Sequence, residues 1–333
     1  MRVLALCKWD WANSVHRYTE CLRMLGLDVV AFKGEIHRFN YPQQLALHTG
    51  LIRAQLTNNY PIMLSCHELK KYAEEADIVH MFASTYIDTG VDYTQKKVII
   101  QHSGTTFRME PERCNQVFNQ IVDYTIMQFP TLLNQGAKNE VLIYYPVDTK
   151  YLQSDYRRRN SNKLIVEHFP SAGETKGTAN INVTSEELKK KYNHRFEFEL
   201  EMDEMQRNVD WYWNINRVRN CDIYIETICP MLRGKPFGAW GNSALESAAL
   251  GKVVITNSMP EHQELYKQEY SDINELVIAN DMQELDDRLY ELSQLSDKEI
   301  QDKREKTREW VVANHSMEVT AKRLFDKVYK HLI

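Results

Sequence analysis

The sequence predicts an α/β protein made of two doubly wound domains. Three observations carry this prediction. Short apolar runs alternate with segments of helical periodicity, the alternation stops at a polar stretch near the middle and restarts, and 333 residues are enough for two separate cores. The composition is that of a globular chain, 43% hydrophobic and 26% charged, and aromatics at 11% argue against long disordered spans.

The elements read in order as follows. Arg2–Cys7 is an apolar strand. The segment "NSVHRYTECLRMLG" places Val15, Tyr18, Leu22 and Leu25 at helical spacing and ends on Gly26, where a C-cap glycine belongs. "LDVVAF" is the next strand, and a strand–helix–strand unit of this length implies a right-handed crossover and a parallel sheet. The pattern repeats with "CHELKKYAEEA" as helix and "DIVHMFAS" as strand. "KKVIIQHSGTT" is a strand ending in a small-residue turn, and "PERCNQVFNQIV" is a helix opened by proline. "DYTIMQF" and "EVLIYYPVD" close the first domain, 1–152.

The polar stretch "QSDYRRRNSNK" reads as a linker. The second domain, 162–310, begins with the strand "LIVEHFPS". A helix over 175–192, the strand "FEFELEM", a largely helical "MDEMQRNVDWYWNINRV", the strand "CDIYIET" and the strand "KVVIT" follow. Residues 311–333 are helical. Two α/β domains of similar size place a ligand crevice between them, outside the carboxyl ends of the strands.

Net charge is −5, which gives no general basis for binding nucleic acid or an anionic membrane. The basic runs at 157–159 and 189–191 read as solvated faces. The six cysteines are scattered without a CxxC pair, which argues against a zinc site or disulfide framework and fits a reducing, cytoplasmic setting. The start of the chain is neither a signal peptide nor a span, and no later segment approaches the roughly 18 apolar residues a span needs. Peripheral membrane contact stays open.

Two places carry chemistry. In "FGAWGNSALESAALGKVVIT", Gly238 and Gly241 permit a tight turn, Asn242 or Ser243 can cap the following helix, and small side chains let that helix lie close to its sheet. Its N-terminus then offers amides and a positive dipole end to an anion such as a pyrophosphate. Glu246, about one turn in, is placed to accept hydrogen bonds from vicinal hydroxyls such as those of a ribose. From spacing alone it is equally an ordinary first-turn glutamate. The second place is "HFPSAGETKGTANI", where Lys176 at a strand-to-helix turn can neutralise a phosphate; taken alone, a surface lysine is the simpler reading.

Together, "HFPS…KGT", "CDIYIE" and "GAWGNSALESAALGKVVI", in that order, resemble the donor-binding half of a GT-B glycosyltransferase. The particular likeness is to the retaining family typified by sucrose synthase and bacterial capsule and lipopolysaccharide transferases (family GT4). "EEADIVHMFAS", "VIIQHSGTTFR", "YYPVDTKYL" and the closing "WVVANHSMEVTAKRLFDKVYKHL" are similar to further stretches of that family, so the resemblance spans nearly the whole chain. It implies two Rossmann-like domains facing a central cleft, with the closing helices crossing back to the first domain.

By this resemblance, Glu246 holds the nucleotide ribose and Lys176 neutralises the donor diphosphate. His102 lies near the transferred sugar and acceptor and, with Lys176, is a catalytic residue. Gly241, Asn242 and Ser243 present amides to the phosphates. The chain departs from the family pattern at two positions: Gly238 stands eight before Glu246 in place of a glutamate, and Ser171 five before Lys176 in place of an arginine. Arg233 or Lys235 is then the substitute cation. The usual glycine-rich first turn is absent, so Ala12, Asn13 and Ser14 serve instead, and the acceptor side comprises Asn13, Ser14, His102 and Gly104 with Trp9 and Trp11 nearby.

The implied activity is transfer of a sugar from a nucleotide-diphosphate donor, UDP- or GDP-linked, to an acceptor hydroxyl with retention. It needs no bound cofactor and no metal. The acceptor is a saccharide, lipid or protein, with a modified nucleic-acid base disfavoured by the net charge. A non-catalytic nucleotide-sugar-binding scaffold and a sugar-nucleotide epimerase of the same fold remain open.

Overall fold

The computed structural model describes residues 1–37, 39–52, 61–154, 156, 162–170, 173–200, 210–237, 240–270 and 275–333. The arginine run at 157–159, most of the expected linker, and the positions of Ser171 and Gly238 lie outside the described residues, as does much of the expected helix before Asp210. The chain forms two compact units, one of Met1–His37, Tyr41–Pro146 and Met317–Ile333, the other of Arg38–Asn40 and Val147–Ser316.

The first unit holds β1 (Arg2–Cys7), β2 (Asp28–Lys33), β3 (Ala46–Leu47), β4 (Ile62–Ser65), β5 (Ile78–Phe82), β6 (Thr85–Asp88), β7 (Lys97–His102), β8 (Tyr124–Met127) and β9 (Glu140–Leu142). Its main sheet has seven strands in the order β3-β2-β1-β5-β7-β8-β9. Every pairing is parallel. The near-continuous apolar runs of β1, β5 and β7 follow from a sheet covered on both faces. One face packs α1 (Ser14–Met24), through Val15, Tyr18, Cys21 and Leu22, together with Ala321 and Leu324 of the closing helix. The other packs Ala73 of α2 (Lys70–Glu75), Phe107 of α3 (Thr105–Met109) and Phe118 of α4 (Pro111–Phe118). Strand order reverses direction between β1 and β5, so the carboxyl ends of these two strands form the switch point at which doubly wound sheets bind ligands.

The second unit holds β10 (Leu164–His168), α5 (Gly173–Lys176), α6 (Thr178–Tyr192), β11 (Phe196–Leu200), α7 (Trp211–Asn220), β12 (Ile223–Thr227), β13 (Met231–Leu232), β14 (Lys235–Pro236), α8 (Asn242–Ala249), β15 (Val253–Thr256), α9 (Pro260–Lys267), β16 (Val277–Ile278), α10 (Met282–Gln294) and α11 (Asp297–His315). Its five-stranded sheet runs β11-β10-β12-β15-β16, all parallel, with its switch point between β10 and β12. The expected helix over 175–192 is broken at Gly177, whose φ of 70° ends the single turn of α5 and starts α6. Helix α11 stops at His315, and α12 (Met317–Lys327) packs in the first unit, where the Tyr329 hydroxyl bonds His80 Nδ1 at 2.9 Å. Among the described residues no helix is long and apolar enough to cross a membrane.

Candidate functional site

The switch point of the second unit gathers Lys176, Glu226 and Ser243. Lys176 closes α5, and the end of β12 ties it down. Ile228 N–H donates to the Lys176 carbonyl at 3.2 Å, and Thr227 Oγ1 donates to the Thr175 carbonyl at 3.1 Å. Gly177 is required there. A Cβ on it would collide with the Ile228 carbonyl group, 2.8 Å from its carbon, at a φ that side chains already resist.

The Lys176 ammonium pairs with the Glu226 carboxylate. Glu226 Oε1 also accepts from Ser243 Oγ at 2.9 Å, and its Oε2 accepts from Thr256 Oγ1 at 3.0 Å. Lys176 Nζ donates to Ser243 Oγ at 3.3 Å. The Glu226 side chain is fully buried while that of Lys176 is 16% exposed, so a buried anion holds a cation at the rim of the site. A buried carboxylate persists only when paired and hydrogen-bonded, and this one accepts from three donors.

The glycine before α8 has a different purpose from the expected turn. Gly241 has extended backbone, φ −95° and ψ −174°, which any residue adopts. A Cβ on it would stand 3.0 Å from Glu226 Oε1 and 3.3 Å from Lys176 Nζ, so the missing side chain is what lets α8 approach the ion pair. Nor do Asn242 and Ser243 cap the helix. Gly241 is the N-cap without a side-chain cap bond, Asn242 is already helical, and the Ser243 hydroxyl is turned to Glu226. By contrast, Asp210, Asp281 and Ser296 cap α7, α10 and α11 with their own side chains. The uncapped end of α8, beside an ammonium, is the arrangement that receives an anion.

Glu246 lies one turn further on, 7% exposed, and its Oε1 accepts from Trp211 Nε1 at 3.2 Å. Arg233, in the β13–β14 turn, is exposed and forked onto Glu174 at 3.0 and 3.1 Å, holding that carboxyl below its ordinary range. Lys235 is exposed on β14. Ser171 and Gly238 lie outside the described residues.

In the first unit, Ala12 and Asn13 adopt left-handed backbone after β1 (φ 55° and 54°), as a glycine-rich turn would. Asn13 Nδ2 donates to the Gln43 carbonyl at 2.9 Å, and Ser14 opens α1. The N-terminus of that helix is already filled. The Asp10 carboxylate accepts from the amides of Val15 at 2.8 Å and His16 at 3.1 Å. Burial pushes this carboxyl up to about 6 against those two bonds. A second left-handed pair, Ala83 and Ser84, follows β5, and Gly104 (φ 108°) precedes α3.

His102 ends β7 fully buried, stacked on Phe107 at 4.2 Å and edge-on to Phe118 at 5.5 Å. Its Nδ1 bonds Ser84 Oγ at 2.8 Å, its Nε2 is buried without a partner, and burial lowers the imidazole to about 3. The ring is therefore neutral, and its hydrogen bond goes to Ser84, which is buried as well. Trp11 is 46% exposed, with Trp9 at 5.9 Å and His37 at 5.8 Å.

The sequence reading did not single out Glu226 or Trp211. A usable signal for Glu226 was an acidic residue at the carboxyl end of an otherwise apolar parallel strand, "CDIYIE".

Two Rossmann-like domains, with these strand orders, are the GT-B fold. Solved structures of glycosyltransferases align along the whole chain. An alpha-glucosyltransferase in complex with UDP and a 13-mer DNA containing an HMU base is 11% identical with a TM-score of 0.63, covering 99% of each chain. Anabaena HepE in complex with UDP-glucose is 12% identical with a TM-score of 0.60, over 99% of this chain and 100% of that one. A glycosyltransferase from Rickettsia africae ESF-5 is 14% identical with a TM-score of 0.56, over 99% and 98%. At these identities the likeness establishes the fold. No family profile and no curated protein matches the sequence.

Proposed function

We propose that the protein is a glycosyltransferase of the retaining GT4-like kind, moving a sugar from a UDP- or GDP-linked donor to an acceptor hydroxyl. The observation that carries the reading is the convergence of the Lys176 ammonium on the uncapped N-terminus of α8, with Glu246 one turn beyond. Bond breaking at the anomeric carbon leaves charge on the departing diphosphate. Fixed donors aimed at that charge stabilise the transition state more than the ground state. Lys176 and the amides of Asn242 and Ser243 are those donors, and Glu246 accepts from the ribose hydroxyls. Arg233 supplies a second cation by exchanging Glu174 for phosphate. The positive charge comes from side chains and helix dipole, so the proposed reaction requires no metal.

UDP is the first nucleotide to try, because the neighbours' complexes contain UDP and UDP-glucose. On the first unit, Asn13, Ser14 and Gly104 form the acceptor side, supported from below by His102 through Ser84, with Trp11 offering a face for a sugar ring. A saccharide acceptor suits this aromatic surface and the net charge of −5. The complex of one neighbour contains DNA, and a DNA acceptor for this chain would reveal itself by steep salt dependence of binding. All six cysteines are free thiols, which fits a reducing cytoplasm.

The test is slow hydrolysis of UDP-glucose and GDP-mannose without acceptor. Wild type cleaves one donor, and Lys176→Met lowers that rate by about 10²–10³, the usual cost of one charge-stabilising donor. No cleavage of any donor would favour a binding scaffold, and conversion to another nucleotide sugar would favour an epimerase.

A further inference from the structure

The hydrogen bond between Trp211 and Glu246 points to a specificity device that the proposed function does not itself require. We infer that Trp211 is a positioning residue that aims the Glu246 carboxylate at the ribose, and that the pair makes the site select ribonucleotides over deoxyribonucleotides. The inference rests on Glu246 being the ribose-binding carboxylate.

Trp211 is fixed on every side. As the first residue of α7, its N–H has no partner within the helix, and it donates to the Phe39 carbonyl at 2.7 Å. The neighbouring Asp210 carboxylate accepts from the Tyr212 amide at 2.9 Å, closing the same turn. The Trp211 ring is 6% exposed and lies against Tyr151, centroids 5.8 Å apart and planes 34° from each other. From that anchored ring Nε1 donates to Glu246 Oε1 at 3.2 Å. The donor and acceptor stand 35 residues apart in sequence, Trp211 opening α7 and Glu246 one turn into α8.

The chemistry of the donor matters as much as its place. An indole N–H is neutral and can only donate, so it requires an acceptor oxygen and fixes which way the carboxyl plane turns. An arginine or lysine in the same position would fix the plane but also neutralise the charge that makes the carboxylate a strong acceptor. Trp211 orients without neutralising, and because Glu246 is only 7% exposed the bonds it makes act in a low-dielectric setting that strengthens them. Two vicinal hydroxyls need a carboxylate held in one plane. A deoxyribose offers fewer donors and gains little from the arrangement.

The test measures binding of UDP, GDP and ADP and of their 2′,3′-dideoxy forms by calorimetry. The proteins are wild type, Glu246→Ala and Trp211→Phe. A fourth protein replaces Trp211 alone with 3-benzothienylalanine, which keeps the ring shape and removes only the N–H. Wild type should prefer the ribonucleotide by about tenfold or more, as expected for a hydrogen bond to a charged acceptor. Trp211→Phe and the benzothienyl form should each lose most of that preference while binding the dideoxy form as wild type does. Combining Trp211→Phe with Glu246→Ala should cost no more than Glu246→Ala alone. An equal loss for both sugar forms would show a merely structural tryptophan and overturn the inference, as would an unchanged preference. If wild type shows no preference, or Glu246→Ala preserves it, the ribose reading of Glu246 has failed and the inference falls with it. The benzothienyl form keeps the test decisive if Trp211→Phe folds poorly.

Discussion

Replacing Glu226 by glutamine tests whether a buried carboxylate is what holds Lys176 at the site. Glutamine keeps the volume and one acceptor oxygen but removes the charge. With that oxygen turned to Lys176 and Ser243, the new amide donor faces Thr256 Oγ1, which at 3.0 Å from Glu226 Oε2 can accept instead of donate. Every partner of the carboxylate then keeps a bond to the side chain, and the largest loss is the charge assistance of the bond with Lys176. Such bonds contribute roughly 1.5–3 kcal/mol. Part of this returns because glutamine carries no charge to desolvate, and because the 16%-exposed lysine can turn toward water. A net loss of about 1–2 kcal/mol follows, which in a unit of this size lowers Tm by about 2–8 °C. The functional loss should be larger, since an unanchored lysine spends less time at the N-terminus of α8. Thermal denaturation and donor cleavage are measured side by side. A glutamine variant that melts and turns over as wild type does would refute the reasoning.

Gly177→Ala combines a positive φ with a collision against the Ile228 carbonyl, so it should destabilise by about 3 kcal/mol or more in urea denaturation, with reduced expression as an accompanying sign. His102 is held neutral with its pKa lowered to about 3, against about 6.5 when unfolded. The unfolded chain therefore binds the proton first. The stability that His102 contributes is complete above about pH 6.5 and is lost as pH falls toward 3, at about 1.4 kcal/mol per unit. The difference in unfolding free energy between wild type and His102→Gln should shrink by about 2 kcal/mol from pH 7 to pH 5; a constant difference would mean that the imidazole is not buried as described.

The fold was legible because parallel strands buried on both faces leave apolar runs such as "DIVHMF", and the helices between them leave a period that runs from Val15 to Leu22. The partners within the site were not. Lys176 meets Glu226 across 50 residues and Glu246 meets Trp211 across 35, and no local pattern specifies which distant side chain arrives. Gly241 shows the limit well: a glycine before a helix reads as a turn, yet its backbone is extended and the reason for it is a neighbouring ion pair. Nothing in the sequence singles out Asp10, and only the folded chain shows its carboxylate filling the N-terminus of α1.

The most direct test of the central claim is a thermal-shift panel of UDP, GDP, ADP and their common sugar conjugates on wild type and Glu246→Ala. At about a hundredfold excess over Kd, binding should stabilise by about 2.7 kcal/mol, or roughly 5–10 °C. The account predicts such a shift with one nucleotide in wild type, and its loss in Glu246→Ala with the unliganded Tm nearly unchanged. No shift with any nucleotide at millimolar concentration, or the same shift in both proteins, would contradict it.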